Sequence, residues 1–390
     1  MTTGQRTYLD HNATSPLRPE VAEVVVRVLQ LPGNASSVHA EGRAARSEIE
    51  AARVAVAGLV GAKAKNVIFT SGGTEAANLV LTPSFRRLGQ AGATRLLMGA
   101  TEHPCVLNGH RFPPERTEII PVDERGILDL AWLKAHLEAI GDERVLVSVQ
   151  LANNETGVLQ PVSDIAKLVH GQGGLVHTDA VQAAGRIPVD LATLGVDALT
   201  LSAHKIGGPK GAGALILASD QYEIGERLIR GGGQEKNYRA GTENVAAIAG
   251  FGAAAELALK GLEQEAGRLR GLRDEAQAHV RRIAPDALVV GAGAERLPNT
   301  LAFAIPGLKA ETALIAFDLA GVAMSSGSAC SSGKVKRSHV LDAMGVEPAL
   351  AEGVLRVSLG WTTTKEDVIR FAEACEKVAA TLYKRKASAA

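Results

Sequence analysis

An α/β fold, built on a mostly parallel sheet with helices on both faces and followed by a second, smaller α/β domain, is what this sequence predicts. Two observations carry the prediction. Up to the region before Asn244, short β-rich runs alternate with longer helical patterns, the signature of βαβ units. From Asn244 to Ile283 the chain changes to one long Ala/Leu/Glu/Arg helical pattern, and short strands mixed with helices come after it.

Taken in chain order, the strands expected in the first part are NVIFTSG from Asn66, RLLMGAT from Arg95, TEIIPV from Thr117, RVLVSVQLA from Arg144, GLVHTDA from Gly174, DALTLSAH from Asp197 and GALILA from Gly213. Helical stretches such as RAARSEIEAARVAVAGLV from Arg43 and VSDIAKLVHGQG from Val162 lie among them. The second part offers NTLAFAIPG from Asn299, GVAMSSGS from Gly321 and GVLRVSLG from Gly353. A last helix follows, with Val368, Phe371, Cys375, Val378 and Leu382 spaced by three and four on one apolar face, so Cys375 reads as core. In sheets of this kind ligands collect where strands end and loops begin.

Composition narrows the classes. The 390 residues are 46% hydrophobic and 22% charged, as in ordinary globular proteins. Lys+Arg and Asp+Glu both number 42, which leaves no basic footprint for nucleic acid. No run approaches the ~20 apolar residues that span a bilayer, so no membrane partner is expected. The opening MTTGQRTYLDHNATSP is polar and unlike a signal peptide, and three cysteines suit a reducing compartment; the expectation is a cytoplasmic protein. Triplets of the glycosylation type begin at Asn12, Asn34 and Asn154, and in such a compartment those asparagines need another explanation.

The chemistry concentrates at strand ends. DALTLSAHKIGGPKGAGAL ends a strand in Ser202-Ala203-His204-Lys205 and returns through a glycine-rich turn. A partly dry lysine amine there suits Schiff-base chemistry, although Lys205 alone reads more readily as a solvated surface lysine. FTSGGTEAANLVL is strand, then Gly72-Gly73-Thr74, then helix: a helix N-terminus open to an anion, or simply a bare cap. No Lys-Ser/Thr pair follows those glycines, so it is not a Walker loop. GLVHTDAVQAAG ends a strand at Asp179, with Gln182 three residues on, and TEHPCVL places His103 after another strand. A carboxylate there can pair with a protonated ring nitrogen, and an imidazole can stack on a flat cofactor or move protons. Each residue alone also reads as a satisfied structural group. Together they are the parts pyridoxal phosphate requires, its ring acting as an electron sink.

Near the C-terminal end SSGSACSSG, Ser325 to Gly333, surrounds Cys330 with small polar residues. Such a run predicts a surface loop whose thiol is either incidental or the reason for the loop. Cys105, two residues after His103, forms a conceivable nucleophilic pair with it, but it opens a helical stretch after Pro104 and reads as packing.

On these motifs the chain resembles the pyridoxal-phosphate-dependent class V aminotransferase family, and within it the NifS/IscS-type cysteine desulfurases, nearer the shorter NifS-like form. The resemblance runs from YLDHNATSPLRPEV to LRVSLGWTTTKEDV and includes GNASSVHAEGR, FTSGGTEAAN, TEHPCVL, LANNETGVLQP, HTDAVQAAG, LSAHKIGGPKG, GGGQEKNYRAGTEN and SSGSACSSG. It implies a fold type I transferase with a large cofactor domain over residues 15–255 and a small domain over 1–14 and 256–390 that carries the Cys330 loop. It further implies that Lys205 binds pyridoxal 5′-phosphate covalently and shuttles protons, that Asp179 pairs with its ring nitrogen, and that Gln182 contacts its ring oxygen. His103 would stack on the ring and act as acid or base. Gly73, Thr74, Ser202 and His204 would hold the phosphate, joined by Thr242 from the other subunit of a homodimer. Asn154, counted with the cofactor residues, and Arg356 would hold the substrate carboxylate.

The implied reaction converts L-cysteine to L-alanine, with Cys330 taking the sulfur as a persulfide for a sulfur-acceptor or iron–sulfur scaffold protein. The sulfur would serve iron–sulfur clusters, nitrogenase metalloclusters among them, or other thio-cofactors. No intrinsic metal is implied, only transient ligation of a nascent cluster by the Cys330 persulfide. The alternative is a selenocysteine lyase or another class V enzyme. Lys236 stands where many relatives carry arginine, and the chain ends soon after its last helix, so the C-terminal extension that receives a scaffold in IscS-type relatives is not expected.

Overall fold

The computed structural model describes residues 6–327 and 337–387, with side chains of the last helix up to Thr381. The chain begins with β1 (Thr7–Tyr8), α1 (Pro19–Leu29) and α2 (Ala40–Leu59). The expected alternation follows as β2 (Val67–Thr70), α3 (Gly73–Val80), β3 (Phe85–Arg87), β4 (Arg95–Gly99), the one-turn α4 (Pro104–Leu107), β5 (Thr117–Ile120), α5 (Leu130–Ile140) and β6 (Val145–Gln150). It continues through α6 (Val162–Gly171), β7 (Leu175–Asp179), the one-turn α7 (Leu191–Leu194), β8 (Ala198–Ser202), β9 (Gly213–Leu217) and β10 (Tyr222–Ile224).

Among the described residues the large sheet is ordered β2-β9-β8-β7-β6-β4-β5. Strands β8, β7, β6, β4 and β5 run parallel, while β9 is antiparallel to both of its neighbours. That reversal follows from chain length: the turn from Ser202 to Gly213 is too short for a parallel crossover, which needs a dozen or more residues. Alternate side chains feed opposite faces. Val145, Val147 and Val149 of β6 enter one core cluster and Leu146 the other; Phe69 and Ile68 of β2 divide the same way.

The long helical pattern is corrected by the structure. It forms not one helix but two, α8 (Val245–Lys260) and α9 (Leu262–Ile283), bent by 75° where Gly261 separates them. Asn244 starts α8 by accepting a hydrogen bond from the Ala247 N–H at 3.1 Å. α8 lies in the first core with α1 and α2, so closely that a Cβ on Gly252 would come within 2.5 Å of the Ala52 Cα. α9 instead packs on the last helix. No single helix among the described residues is long and apolar enough to cross a membrane.

The remaining elements are β11 (Leu288–Val289), β12 (Thr300–Ala304), α10 (Ala310–Leu319), β13 (Val322–Ala323), β14 (Ser325–Ser326), α11 (His339–Ala343), α12 (Pro348–Ala351), β15 (Leu355–Ser358) and α13 (Lys365–Ala387). An antiparallel sheet ordered β11-β12-β15-β14 holds them together, and β1 pairs with β13 beside it. Val368, Phe371, Cys375 and Val378 form the buried face of α13 as their spacing predicts, with Phe371 stacked on Phe317 and edge-on to Phe303. The Cys375 thiol, in that core, is pushed up to about 12 by burial.

Candidate active site

The C-terminal ends of β4, β6, β7 and β8 face β14 and β15 of the small sheet across a cleft of about 720 Å³. The sheet side of this cleft is made by strand termini. Asp179 is the last residue of β7, in register with Gln150 of β6 and Thr200 of β8. Its Oδ1 accepts from the Val181 N–H at 2.9 Å, and burial raises its carboxyl pKa, with His103 and Lys205 pulling the other way.

Ser202 closes β8, and the turn after it presents His204 and Lys205. The Lys205 Nζ donates to the backbone oxygens of Asn12 at 2.6 Å and Ala13 at 2.8 Å. Burial, then the charges of Arg186 and Arg356, lower its pKa to about 7, well below the ordinary lysine value. His204 Nδ1 lies 3.2 Å from the Thr14 Oγ1, and burial followed by neighbouring cations takes its pKa down to about 4.

Beside this turn α3 begins at Gly73. No side chain caps it, since Gly72 precedes it, and its leading N–H groups are left for a ligand beside the Thr74 hydroxyl. A Cβ on Gly73 would come within 2.9 Å of Val181 Cγ2, so only glycine keeps this floor open. His103 stands at the cleft with its Nδ1 accepting from the Cys105 N–H at 3.1 Å; burial within the cleft lowers its pKa.

The opposite side comes from far apart in the sequence. Arg356, in the middle of β15, is buried; its Nη1 donates to the Asn154 backbone oxygen at 3.0 Å and its Nη2 to Asp10 Oδ1 at 2.7 Å. Its Nε is buried with no partner among the described residues. Asn154 is positioned by Asn153, whose Oδ1 accepts from the N–H groups of Glu155 and Thr156 at 2.9 and 2.8 Å and folds the turn.

All the residues predicted from the sequence line this cleft except two. Cys330 lies outside the described residues, between Gly327 and Arg337, which do line it. Thr242 sits on an exposed loop away from the cleft. Cys105 is at the cleft edge, half-buried, with its thiol pushed up by burial, as a packing residue would be.

Several site residues were not legible as such. Asp10 accepts from Arg356 and, through Oδ2, from the Ser325 hydroxyl at 2.8 Å. Glu155, 7% exposed, accepts from the Ser338 hydroxyl at 2.6 Å, and burial raises its pKa to about 7. Asn12 donates to Thr300 Oγ1 and the Asn154 oxygen and accepts from Asn299. Arg186 lies buried against Gln182. The one signal for these was the sequon triplets: Asn12 and Asn154 are cleft residues, and Asn34 turns the chain by accepting from the Ser36 N–H.

A buried carboxylate, a lysine of lowered pKa, an uncapped helix N-terminus flanked by hydroxyls and an imidazole in one cleft suit a flat aromatic carbonyl compound bearing a phosphate. That set, at the strand ends of a mostly parallel sheet with a small antiparallel domain opposite, is the arrangement of a fold type I transferase. The chain belongs to the Aminotransferase class-V family, whose model matches residues 7–371. Among curated proteins it is similar to "Cysteine desulfurase IscS" of Dictyoglomus turgidum, 41% identical over 375 residues, 95% of this chain and 94% of that one. It is 42% identical over 377 residues to a "Cysteine desulfurase" of Cereibacter sphaeroides, with 95% and 94% covered. Among solved structures, a NifS-like protein from Rickettsia africae superposes with a TM-score of 0.87 at 36% identity, over 96% of this chain and 100% of that one.

Proposed function

We propose that this protein is a pyridoxal 5′-phosphate-dependent cysteine desulfurase that converts L-cysteine to L-alanine and takes the sulfur onto Cys330. The observation that carries the reading is the Lys205 amine in one cleft with Asp179 at the neighbouring strand end, opposite the buried Arg356. Pyridoxal phosphate, when bound, supplies a carbonyl that condenses with amines and a ring that withdraws electrons from the substrate's Cα–H and Cβ–S bonds.

The chain's own groups supply the rest. The α3 N-terminus with Thr74, Ser202 and His204 would hold the cofactor's phosphate, and Asp179 would pair with its ring nitrogen, a cation there restoring the charged carboxylate. Gln182 would hold the ring oxygen, and His103 would pack on the ring. Lys205 Nζ would hold the carbonyl and serve as the base that takes the Cα proton from the substrate. Arg356 and Asn154, both lining the cleft, orient the substrate carboxylate through the guanidinium and amide donors. A free thiol is only a few per cent ionised at neutral pH, so Cys330 needs a proton acceptor, and His103, its pKa lowered by the cleft, is suited to it. The Cys330 thiolate takes the substrate sulfur, the Cβ–S bond breaks, and Cβ receives a proton: cysteine plus enzyme thiol gives alanine plus enzyme persulfide.

The persulfide sulfur then passes to an acceptor protein for iron–sulfur cluster assembly or other thio-cofactors. The proposal includes a cytoplasmic homodimer in which Thr242, exposed in the single chain, completes the partner's phosphate site. The test is release of alanine and sulfide from L-cysteine by yellow purified protein in the presence of dithiothreitol. A Cys330→Ser variant that keeps full activity contradicts the role of Cys330. Turnover restricted to selenocysteine moves the assignment to a selenocysteine lyase.

A further inference from the structure

Arg186 has no part in the chemistry above, yet its guanidinium is buried against Gln182, a residue of the cleft, where an arginine is rarely placed without reason. Among the described residues no carboxylate pairs with it. Instead its Nη1 donates to the Gln182 backbone oxygen at 2.9 Å and to Gln182 Oε1, and its Nη2 donates to the His11 oxygen at 3.1 Å. Burial and the charge of Arg356 lower its own pKa to about 9, still protonated at neutral pH. A buried cation without a counter-ion is costly, and an apolar residue would fill the same space without that cost.

What the arginine does there follows from its donors. A guanidinium only donates, so the end of the Gln182 amide that faces it must be the oxygen. The NH₂ end is thereby turned away; it donates to the Asn12 oxygen at 3.0 Å, the same oxygen that accepts from Lys205 Nζ at 2.6 Å. We propose that Arg186 is a positioning residue that locks the Gln182 amide with its NH₂ toward the cofactor's ring oxygen and fixes a positive charge beside the Lys205 amine. The proposal rests on pyridoxal phosphate binding in this cleft.

The charge has a counterpart in titration. After burial, Arg186 is the largest influence lowering the Lys205 pKa, ahead of Arg356, while Asp179 and Asp10 oppose it. The other titratable groups facing this amine, His103 and His204, both sit below the ordinary histidine value.

The experiment compares the full-length chain with Arg186→Met and Arg186→Lys. Acylation of Lys205 in the cofactor-free proteins is followed against pH by mass spectrometry, and pyridoxal phosphate affinity is measured separately. In the unsubstituted chain the midpoint is expected near 7, well below the ordinary lysine value. Arg186→Met should raise that midpoint by about 1 pH unit; Arg186→Lys serves the affinity measurement, because a lysine ammonium is itself readily neutralised when buried. Both variants should bind pyridoxal phosphate about tenfold more weakly, because neither keeps the fork on Gln182 and His11.

An unchanged midpoint in Arg186→Met, or cofactor affinity in Arg186→Lys equal to that of the unsubstituted chain, overturns the proposal. Should Arg186→Met not fold, the Arg186→Lys affinity decides. If the unsubstituted chain takes up no pyridoxal phosphate, the functional reading fails, and the acylation midpoints still judge the charge.

Discussion

The two walls of the cleft are built in opposite ways. On the sheet side, Asp179, Ser202 and Lys205 sit at or just after the ends of adjacent strands, so the parallel ladder itself brings them together. On the small-sheet side, Arg356 meets Asp10 across 346 residues of chain, and Asn12 meets Thr300 across 288. The first wall is secondary structure with chemistry at its edge. The second is assembled by tertiary contacts between an N-terminal loop and strands of the small sheet. A wall of the first kind should lose chemistry when one residue is changed, and a wall of the second kind should lose substrate grip or the shape of the cleft.

Lys205 gives the largest expected effect. Lys205→Ala should lower turnover of L-cysteine by about a thousandfold or more and abolish the covalent hold on pyridoxal phosphate, visible as loss of the yellow band after gel filtration. Activity within tenfold would remove the amine from the mechanism. On the other wall, Arg356→Ala should cost about a hundredfold in kcat/KM, most of it in KM, with the cofactor spectrum retained. Arg356→Lys should recover little of that loss, since a lysine offers no planar fork to a carboxylate. A fall in kcat alone would mean that Arg356 serves the chemistry rather than the carboxylate.

Glu155 sharpens the comparison through stability. Burial raises its carboxyl pKa from the ordinary 4.5 to about 7. The folded chain therefore holds this proton more tightly, and the stability it contributes is full below the unfolded value and lost as pH rises through 7. Glu155→Gln, which stays neutral, should be more stable than the unsubstituted chain by about 2 kcal/mol in mildly alkaline buffer, with little difference in acid. Parallel stability curves across that window would show that the carboxyl is not held neutral.

Asp10→Asn is expected to have the smallest effect, about tenfold in KM for cysteine, because it weakens two hydrogen bonds, to Arg356 and Ser325, without removing the groups they hold. Unaltered kinetics would separate Asp10 from the substrate wall.

This contrast also explains what could be read in advance. The strands, the strand-end residues and the apolar face of α13 are local patterns of two, three and four residues, and periodicity exposes them. The Gly261 break was hidden because Gly250, Gly252, Gly267 and Gly271 of the same pattern all stay inside helices, and only the different partners of α8 and α9 force the bend. Asp10, Asn12 and Glu155 carry no local signal of their role. Their partners lie more than 140 residues away, and acid or amide side chains in a loop look alike whether buried or solvated. Arg186 sits only four residues from Gln182, yet its burial comes from the N-terminal loop folding over it, which no spacing in HTDAVQAAGR announces.

The central claim is that one cleft delivers the sulfur of L-cysteine to Cys330. It is tested most directly by reacting the purified enzyme with L-cysteine in the absence of any reductant and weighing the peptide that contains Cys330. One additional sulfur atom on Cys330 for each alanine formed in the first turnover is the predicted result. Full production of alanine with Cys330 unmodified would contradict it.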